Sequence, residues 1–176
     1  VSSIVDVWYP GEEGGHAVAA VLSGEYNPGA KLPITFPVSE AQLPLVYNHK
    51  PTGRGDDYEN LTGLPLFPFG YGLSYTTFEY SNLMIDKPTA KKGDNITVSF
   101  VVTNTGKLAG DEVAQLYLRD QIASVARPVQ ALKGFERIHL AAGASKTIKL
   151  TLHSEDFEML NEKMETVIEP GDFTIM

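Results

Sequence analysis

The feature that most constrains the fold is a strict alternation of apolar and polar residues in the second half of the chain. The clearest run places Ile96, Val98, Phe100 and Val102 on one face of a strand, with threonines and a serine on the other. Similar runs follow at residues 113–118, 129–140 (interrupted at Gly134) and 148–152. Short alternating strands at this spacing predict a fibronectin type III-like antiparallel β-sandwich over residues 77–176.

Glycine-containing turns separate these runs at three places, around Gly93, Gly106 and Gly143. The Ser154–Glu155–Asp156 sequence is typical of a helix start and predicts a single turn over residues 156–160. A last strand is expected at residues 172–176, after the Pro170–Gly171 turn.

The first 75 residues follow a different pattern. Residues 3–8 form a strand-like run, residues 16–23 a short helix that ends at Gly24, and residues 32–37 a second extended run. Between the helix and the second run, Asn27–Pro28–Gly29 predicts a type II turn. Strand, helix and strand are one unit of a layered α/β fold, which needs several such units to cover its sheet. Residues 1–37 are therefore expected to be the C-terminal remnant of an α/β sandwich domain, and residues 38–76 a connector.

Composition and charge exclude several classes of function. The formal net charge of −8 leaves no basic stripe for phosphates, so we expect no nucleic-acid partner. There is no cysteine, and the four histidines are scattered without metal-ligand spacing, so neither a metal nor another cofactor is expected. No apolar run approaches the roughly 20 residues that span a bilayer, so no membrane partner is expected.

Three segments share a pattern with one enzyme family. They are residues 9–33 (beginning Tyr-Pro-Gly-Glu-Glu-Gly-Gly), residues 65–76 (Pro-Leu-Phe-Pro-Phe-Gly-Tyr-Gly-Leu-Ser-Tyr-Thr), and Leu-Lys-Gly-Phe at 132–135 together with Glu-Pro-Gly at 169–171. In this order they resemble the C-terminal portion of glycoside hydrolase family 3, the β-glucosidase and β-xylosidase family. The resemblance covers essentially the whole chain.

The resemblance implies a larger enzyme with a barrel domain, an α/β sandwich domain and a fibronectin-like module. Such enzymes hydrolyse terminal β-linked sugars with retention, using an Asp nucleophile and a separate acid/base residue. Both precede the Pro10–Gly15 segment in the family, so the resemblance implies that this chain carries no catalytic residue. The N-terminus has neither an initiator Met nor a basic leader, and the last strand ends at Met176, so we expect a piece of a longer protein.

Four residues are candidates for contact with a sugar. Trp8 and Tyr9 follow a predicted strand, where α/β folds bind ligands, although burial of Trp8 against the helix is the favoured interpretation. In the connector, Asp57 could bind sugar hydroxyls and Tyr58 could stack on a ring, although a solvated loop is favoured there too. The adjacent Glu12 and Glu13 diverge by about 100° at a helix start, which suits helix capping better than the paired carboxylates of a glycosidase.

Three functional hypotheses follow. The first is a structural, non-catalytic part of a β-glucosidase-type hydrolase, whose partners are the barrel and α/β domains and whose substrate is a β-linked oligosaccharide or glucoside. The second is a free-standing carbohydrate-binding or interaction sandwich. The third is a miniature hydrolase that uses Glu12, Glu13 or the Asp56–Glu59 cluster. For the chain alone we expect either poor anchoring of the first 75 residues or self-association that covers an exposed strand edge. The family resemblance suggests a periplasmic or secreted location.

Overall fold

The alternating segments form two antiparallel sheets that enclose the core. In this computed structural model, which describes residues 3–51 and 62–176, the chain contains one α-helix and eight strands. They are α1 (Gly14–Ser23), β1 (Phe78–Ile85), β2 (Ile96–Asn104), β3 (Gly110–Asp120), β4 (Ala131–Leu140), β5 (Ser145–Leu152), β6 (Met159–Leu160), β7 (Thr166–Val167) and β8 (Phe173–Ile175). Two single turns of 3₁₀ helix lie at Glu40–Gln42 and Ser154–Phe157, the second near the position predicted from the sequence.

The strand order confirms the predicted antiparallel sandwich. One sheet has the order β1-β2-β5, the other the order β4-β3-β8, and β6 and β7 form a separate hairpin. The alternating apolar residues point inward, and the fully buried ones include Val98, Val102, Ile148 and Leu152. Removing each such side chain from water contributes about 1.5–3 kcal/mol, so the inner faces of the two sheets hold the sandwich together.

Two features of the strands follow directly from glycines in the sequence. Gly93 and Gly143 adopt positive φ in the turns before β2 and β5, as the turn signals predict. The interruption at Gly134 is a β-bulge, because Gly134 pairs with Leu116 whereas Leu132 pairs with Tyr117.

The α/β remnant differs from its prediction, apart from the helix. The predicted strand at residues 3–8 does not form, because no neighbouring strand among the described residues pairs with it and Trp8 has a left-handed φ of 47°. The run at residues 32–37 forms only one β-bridge, between Phe36 and Phe67. The type II turn at Asn27–Gly29 is also wrong, since Gly29 does not have the required positive φ.

The residues between the helix and the sandwich lie along β3. We call residues 26–51 and 62–76 the arm. Strand β8 pairs with β3 only from Leu118 to Asp120. The arm lies beside the start of β3: the Asn27 side chain donates to the carbonyl of Ala109, just before the strand, and Gly29 packs against Asp111. The arm thus packs against the start of the strand that leads to the β3–β8 pairing.

Candidate functional site

Trp8 and Tyr9, the first candidates for sugar contact, lie on the surface. Trp8 is 51% exposed, and its backbone N–H donates to Asp6 Oδ1 at 3.0 Å. Tyr9 is fully exposed. The expected burial of Trp8 against the helix is wrong, because its ring packs instead beside Phe36, with ring centroids 6.2 Å apart. About half of the Trp8 surface therefore remains exposed to solvent.

An aromatic row extends from Trp8 into the arm. Phe36 makes an edge contact with Phe67 at 6.4 Å, and Phe67 stacks on Tyr71 at 5.4 Å. Backbone hydrogen bonds hold the two segments of the row together, since Phe36 N donates to Phe67 O and Leu32 N donates to Tyr71 O. The aromatic residues of the 65–76 motif thus continue the surface that begins at Trp8.

Asp57 and Tyr58, the other two candidates, lie outside the described residues, but the segments that flank them are well anchored. On the C-terminal side, the buried Gln42 donates from its amide to the carbonyls of Thr62 and Leu64, at 2.7 and 3.1 Å. The same side chain accepts from Val38 N at 2.6 Å. One glutamine thus ties together two segments of the arm that lie 20 residues or more apart in sequence.

On the N-terminal side, the anchors belong to the sandwich. Tyr47 stacks on Phe69 with ring centroids 4.2 Å apart, and its hydroxyl accepts from Leu132 N at 3.3 Å. His49 O accepts from Val129 N at 2.9 Å. This part of the arm is therefore fixed to the beginning of β4 and to the loop before it.

The outward face of β3 is occupied by the arm. Tyr117 makes an edge contact with Tyr47 at 6.1 Å, and Gln115 donates to Gly70 O at 3.1 Å. Gly70 sits over these two side chains with a positive φ of 80°, so a side chain there would be strained as well as crowded. The aromatic motif was expected to pack between the connector and the sandwich; Phe69 stacks on Tyr47 within the arm, and Tyr47 in turn contacts Tyr117 of the sandwich.

Two polar clusters also join the arm to the strands. In the first, Lys31 Nζ lies 3.1 Å from Glu112 Oε1, and the Tyr80 hydroxyl donates to the same oxygen at 3.2 Å. Burial, and then the neighbouring Glu112 carboxylate, raise the pKa of Tyr80 above its ordinary value. No local sequence pattern indicates this cluster, because Lys31 and Glu112 are 81 residues apart.

The second cluster centres on Asp111. Its carboxylate binds His139 Nδ1 at 2.6 Å and Arg137 Nε at 2.9 Å, and the guanidinium also donates to the Tyr26 hydroxyl at 3.0 Å. The hydrogen bond from His139, and then those from Arg137, hold the pKa of Asp111 below its usual value. The cluster joins the start of the arm to β4.

Of the remaining acidic candidates, Asp56 and Glu59 lie outside the described residues, whereas Glu12 and Glu13 are exposed on the surface. Glu13 binds His16 Nδ1 at 2.8 Å on the surface, and its side chain makes no hydrogen bond to the amides of the helix start. A hydrogen bond from the helix amides to Glu13, one of the two expected roles, is therefore wrong, and the other, an interaction with the helix dipole, stays a prediction. Neither Glu12 nor Glu13 lines the cleft of about 330 Å³ that Pro51 and residues 119–129 form.

No three His, Asp or Glu side chains within residues 3–51 and 62–176 come together as a metal site. No helix in that part of the chain is long and apolar enough to cross a membrane.

Comparison with known proteins agrees with this arrangement. Residues 112–176 match the fibronectin type III-like domain family, and residues 1–75 match the glycosyl hydrolase family 3 C-terminal domain. The fold and the docked arm thus define a fibronectin-like sandwich joined to the end of a glycosidase domain. The chain belongs to glycoside hydrolase family 3, as its C-terminal portion.

Individual relatives support the same assignment. The chain is 44% identical to a periplasmic β-glucosidase from Salmonella typhimurium and 45% identical to a β-xylosidase from Formosa agariphila. These alignments cover 98% and 99% of the chain but only 24% and 25% of the relatives. The chain thus spans about a quarter of their length.

Solved structures share the fold over almost the whole chain. A β-glucosidase from Erythrobacter marinus superposes with a TM-score of 0.92 at 43% identity, covering 97% of this chain and 23% of that one. A β-glucosidase from Listeria innocua in complex with glucose gives a TM-score of 0.90 at 38% identity, with 97% and 25% covered.

Proposed function

We propose that this chain is the structural, non-catalytic C-terminal part of a retaining β-glucosidase-type hydrolase that removes terminal non-reducing β-D-glucosyl residues. The names of the relatives support a glycosidase, and the quarter-length coverage supports a part rather than a whole. Residues 1–37 would complete an α/β sandwich domain, residues 38–76 would connect it, and residues 77–176 would form the fibronectin-like module.

This proposal rests on the observation that the arm covers the outer face of β3. A free-standing carbohydrate-binding sandwich needs an open surface for its ligand, whereas here Gly70 and the ring of Tyr47 cover Gln115 and Tyr117. The sandwich therefore serves as a platform for the arm. The arm in turn presents an aromatic row that ends at the half-exposed Trp8.

The exposed apolar residues near the N-terminus support docking to further protein. Ile4 is 70% exposed, Leu22 is 69% exposed, and Val5 and Val7 are about half exposed. Apolar residues this dense on a surface are typical of an interface. We assign them to contact with the barrel and α/β domains of the longer enzyme, and self-association is the alternative use of such a surface.

The chemistry of the longer enzyme would be two-step hydrolysis with retention. A carboxylate attacks the anomeric carbon while a second group protonates the leaving oxygen, and water then releases the sugar. Both groups would lie outside this chain. Trp8, Tyr9, Asp57 and Tyr58 would contribute substrate contacts at the rim, with aromatic rings against the apolar faces of the sugar. A relative named as periplasmic supports a periplasmic or secreted location.

A chimaera tests this proposal. The Salmonella β-glucosidase is produced without its C-terminal quarter, and then with this chain in that quarter's place. We expect the shortened enzyme to be inactive on an aryl β-glucoside and the chimaera to be active. The rate of the same chimaera on an aryl β-xyloside, compared with its rate on the aryl β-glucoside, measures its sugar preference. An inactive chimaera that is folded and monomeric would contradict the proposed role.

A further inference from the structure

A charged side chain of the arm reaches the edge of the sandwich core. Lys31 Nζ contacts Glu112 at 3.1 Å and donates to Gly72 O at 3.2 Å. The side chains of Lys31 and Glu112 are only 16% and 9% exposed, compared with 22% and 21% for Lys133–Asp156 and 50% and 35% for Lys146–Glu136. This pair is therefore the most enclosed of its kind in the described part of the chain.

Glu112 occupies an inward position of β3. It belongs to the same alternating row as Ala114, Leu116 and Leu118, which form part of the core. Tyr80 reaches it from β1, in the opposite sheet, and packs its ring on Phe100 at 5.8 Å. The carboxylate thus joins both sheets to the arm at a single point.

An ion pair at this depth stabilises a fold little more than apolar side chains of the same size would. Its distinctive property is that it penalises misalignment, because any shift of the arm leaves the Glu112 carboxylate without its cation. Apolar side chains at the same positions would allow the arm to slide. We propose that Lys31 and Glu112 are positioning residues that fix the register of the arm on β3, with the Tyr80 hydroxyl orienting the carboxylate.

The register of the arm on β3 also determines where the aromatic row of the candidate site lies. Lys31 adjoins Leu32, which exchanges backbone hydrogen bonds with Gly70 and Tyr71. A slip at Lys31 would therefore displace the aromatic row that runs from Tyr71 to Trp8. The importance of this register for catalysis rests on the proposed function. The experiment that tests the register uses the chain alone and does not measure enzymatic activity.

The test compares stability with local amide exchange in the Lys31→Met/Glu112→Gln double variant. We expect a thermal midpoint close to that of the parent chain, because the neutral pair leaves no buried charge. We also expect the amides of Leu32, Phe36 and Gly70 to exchange at least tenfold faster, while the amides of β2 are unchanged. Unchanged exchange in the arm would overturn the inference, as would equal acceleration in β2.

Two further variants keep the test decisive. Lys146→Met/Glu136→Gln removes an exposed pair of the same chemistry from β5 and β4, and it should leave arm exchange within twofold of the parent. Lys31→Arg keeps the positive charge, so the Leu32 amide should keep most of its protection from exchange. If the Leu32 amide exchanges as fast in Lys31→Arg as in the Lys31→Met/Glu112→Gln variant, the charge does not set the register. The chimaera experiment is unaffected by either result.

Discussion

The ring of Tyr47 lies 4.2 Å from the ring of Phe69 and nearly parallel to it, at an interplanar angle of 15°. Both residues belong to the arm, and their stack rests on Tyr117 of β3. Since Tyr47 and Phe69 lie on either side of the segment that carries Asp57 and Tyr58, the stack draws the two flanks of that segment together on one strand.

Removing this stack should loosen the arm. Tyr47→Ala should lower the free energy of unfolding by about 2 kcal/mol, because a half-buried aromatic ring and its stacking contact are both lost. Tyr47→Phe keeps the ring and loses only the hydroxyl that accepts from Leu132 N, so about 1 kcal/mol is expected. Urea titration measures both values, and equal losses would show that the ring contributes nothing.

Asn104 should be the most sensitive polar residue of the sandwich. It is fully buried; its amide donates to the carbonyls of Leu108 and Leu140, and its oxygen accepts from the Thr76 hydroxyl. Asn104→Ala leaves several buried groups unpaired, so a loss of about 3 kcal/mol or more is expected. Thr151→Ala, on an exposed position of β5, should change stability by less than about 0.5 kcal/mol. Comparable losses in the two variants would refute this role.

Two glycines should respond to alanine in opposite directions. Gly29 is buried, and an added Cβ would stand 2.7 Å from the Asp111 carbonyl oxygen, so Gly29→Ala should destabilise the docked arm. Gly15 lies in α1 with nothing within 4 Å of an added Cβ, so Gly15→Ala should stabilise the helix by about 0.5–1 kcal/mol. Circular dichroism during thermal unfolding measures both changes. A stabilising Gly29→Ala would contradict the close contact with β3.

The cluster around Asp111 should weaken in acid. Because the folded state lowers the pKa of Asp111 below its ordinary 3.8, the carboxylate contributes stability that is complete above that value. This contribution is lost as the pH falls through the lowered pKa, when the carboxyl no longer accepts from His139 and Arg137. Asp111→Asn should therefore flatten the dependence of stability on pH below about 4. An identical acid profile in that variant would rule out the linkage.

The sandwich was predictable because its signal is local. A run such as Ile96 to Val102 fixes both the strand and its inward face with a period of two residues, and the buried positions confirm it. The family resemblance was equally visible in contiguous motifs, and the comparisons confirm it. The helix was also predicted correctly, with Gly24 in the left-handed conformation at its end.

The arm was predicted less well because its conformation depends on distant contacts. Residues 3–8 have strand-like composition, yet a strand forms only where a neighbour supplies hydrogen bonds, and the described chain supplies none there. Asn27 and Gly29 resemble a turn, but Asn27 binds Ala109 and Ser74 instead. The Lys31–Glu112 pair joins residues 81 positions apart, a separation at which sequence patterns carry no information.

The central claim is that this chain supports a sugar-cleaving site without performing the cleavage. Its most direct test is the release of nitrophenol from an aryl β-glucoside by the purified 176-residue chain. We expect a rate equal to that of buffer, unchanged in the Glu12→Gln/Glu13→Gln variant. Turnover above buffer that disappears in that variant, or in one with Asp56, Asp57 and Glu59 neutralised, would contradict the account.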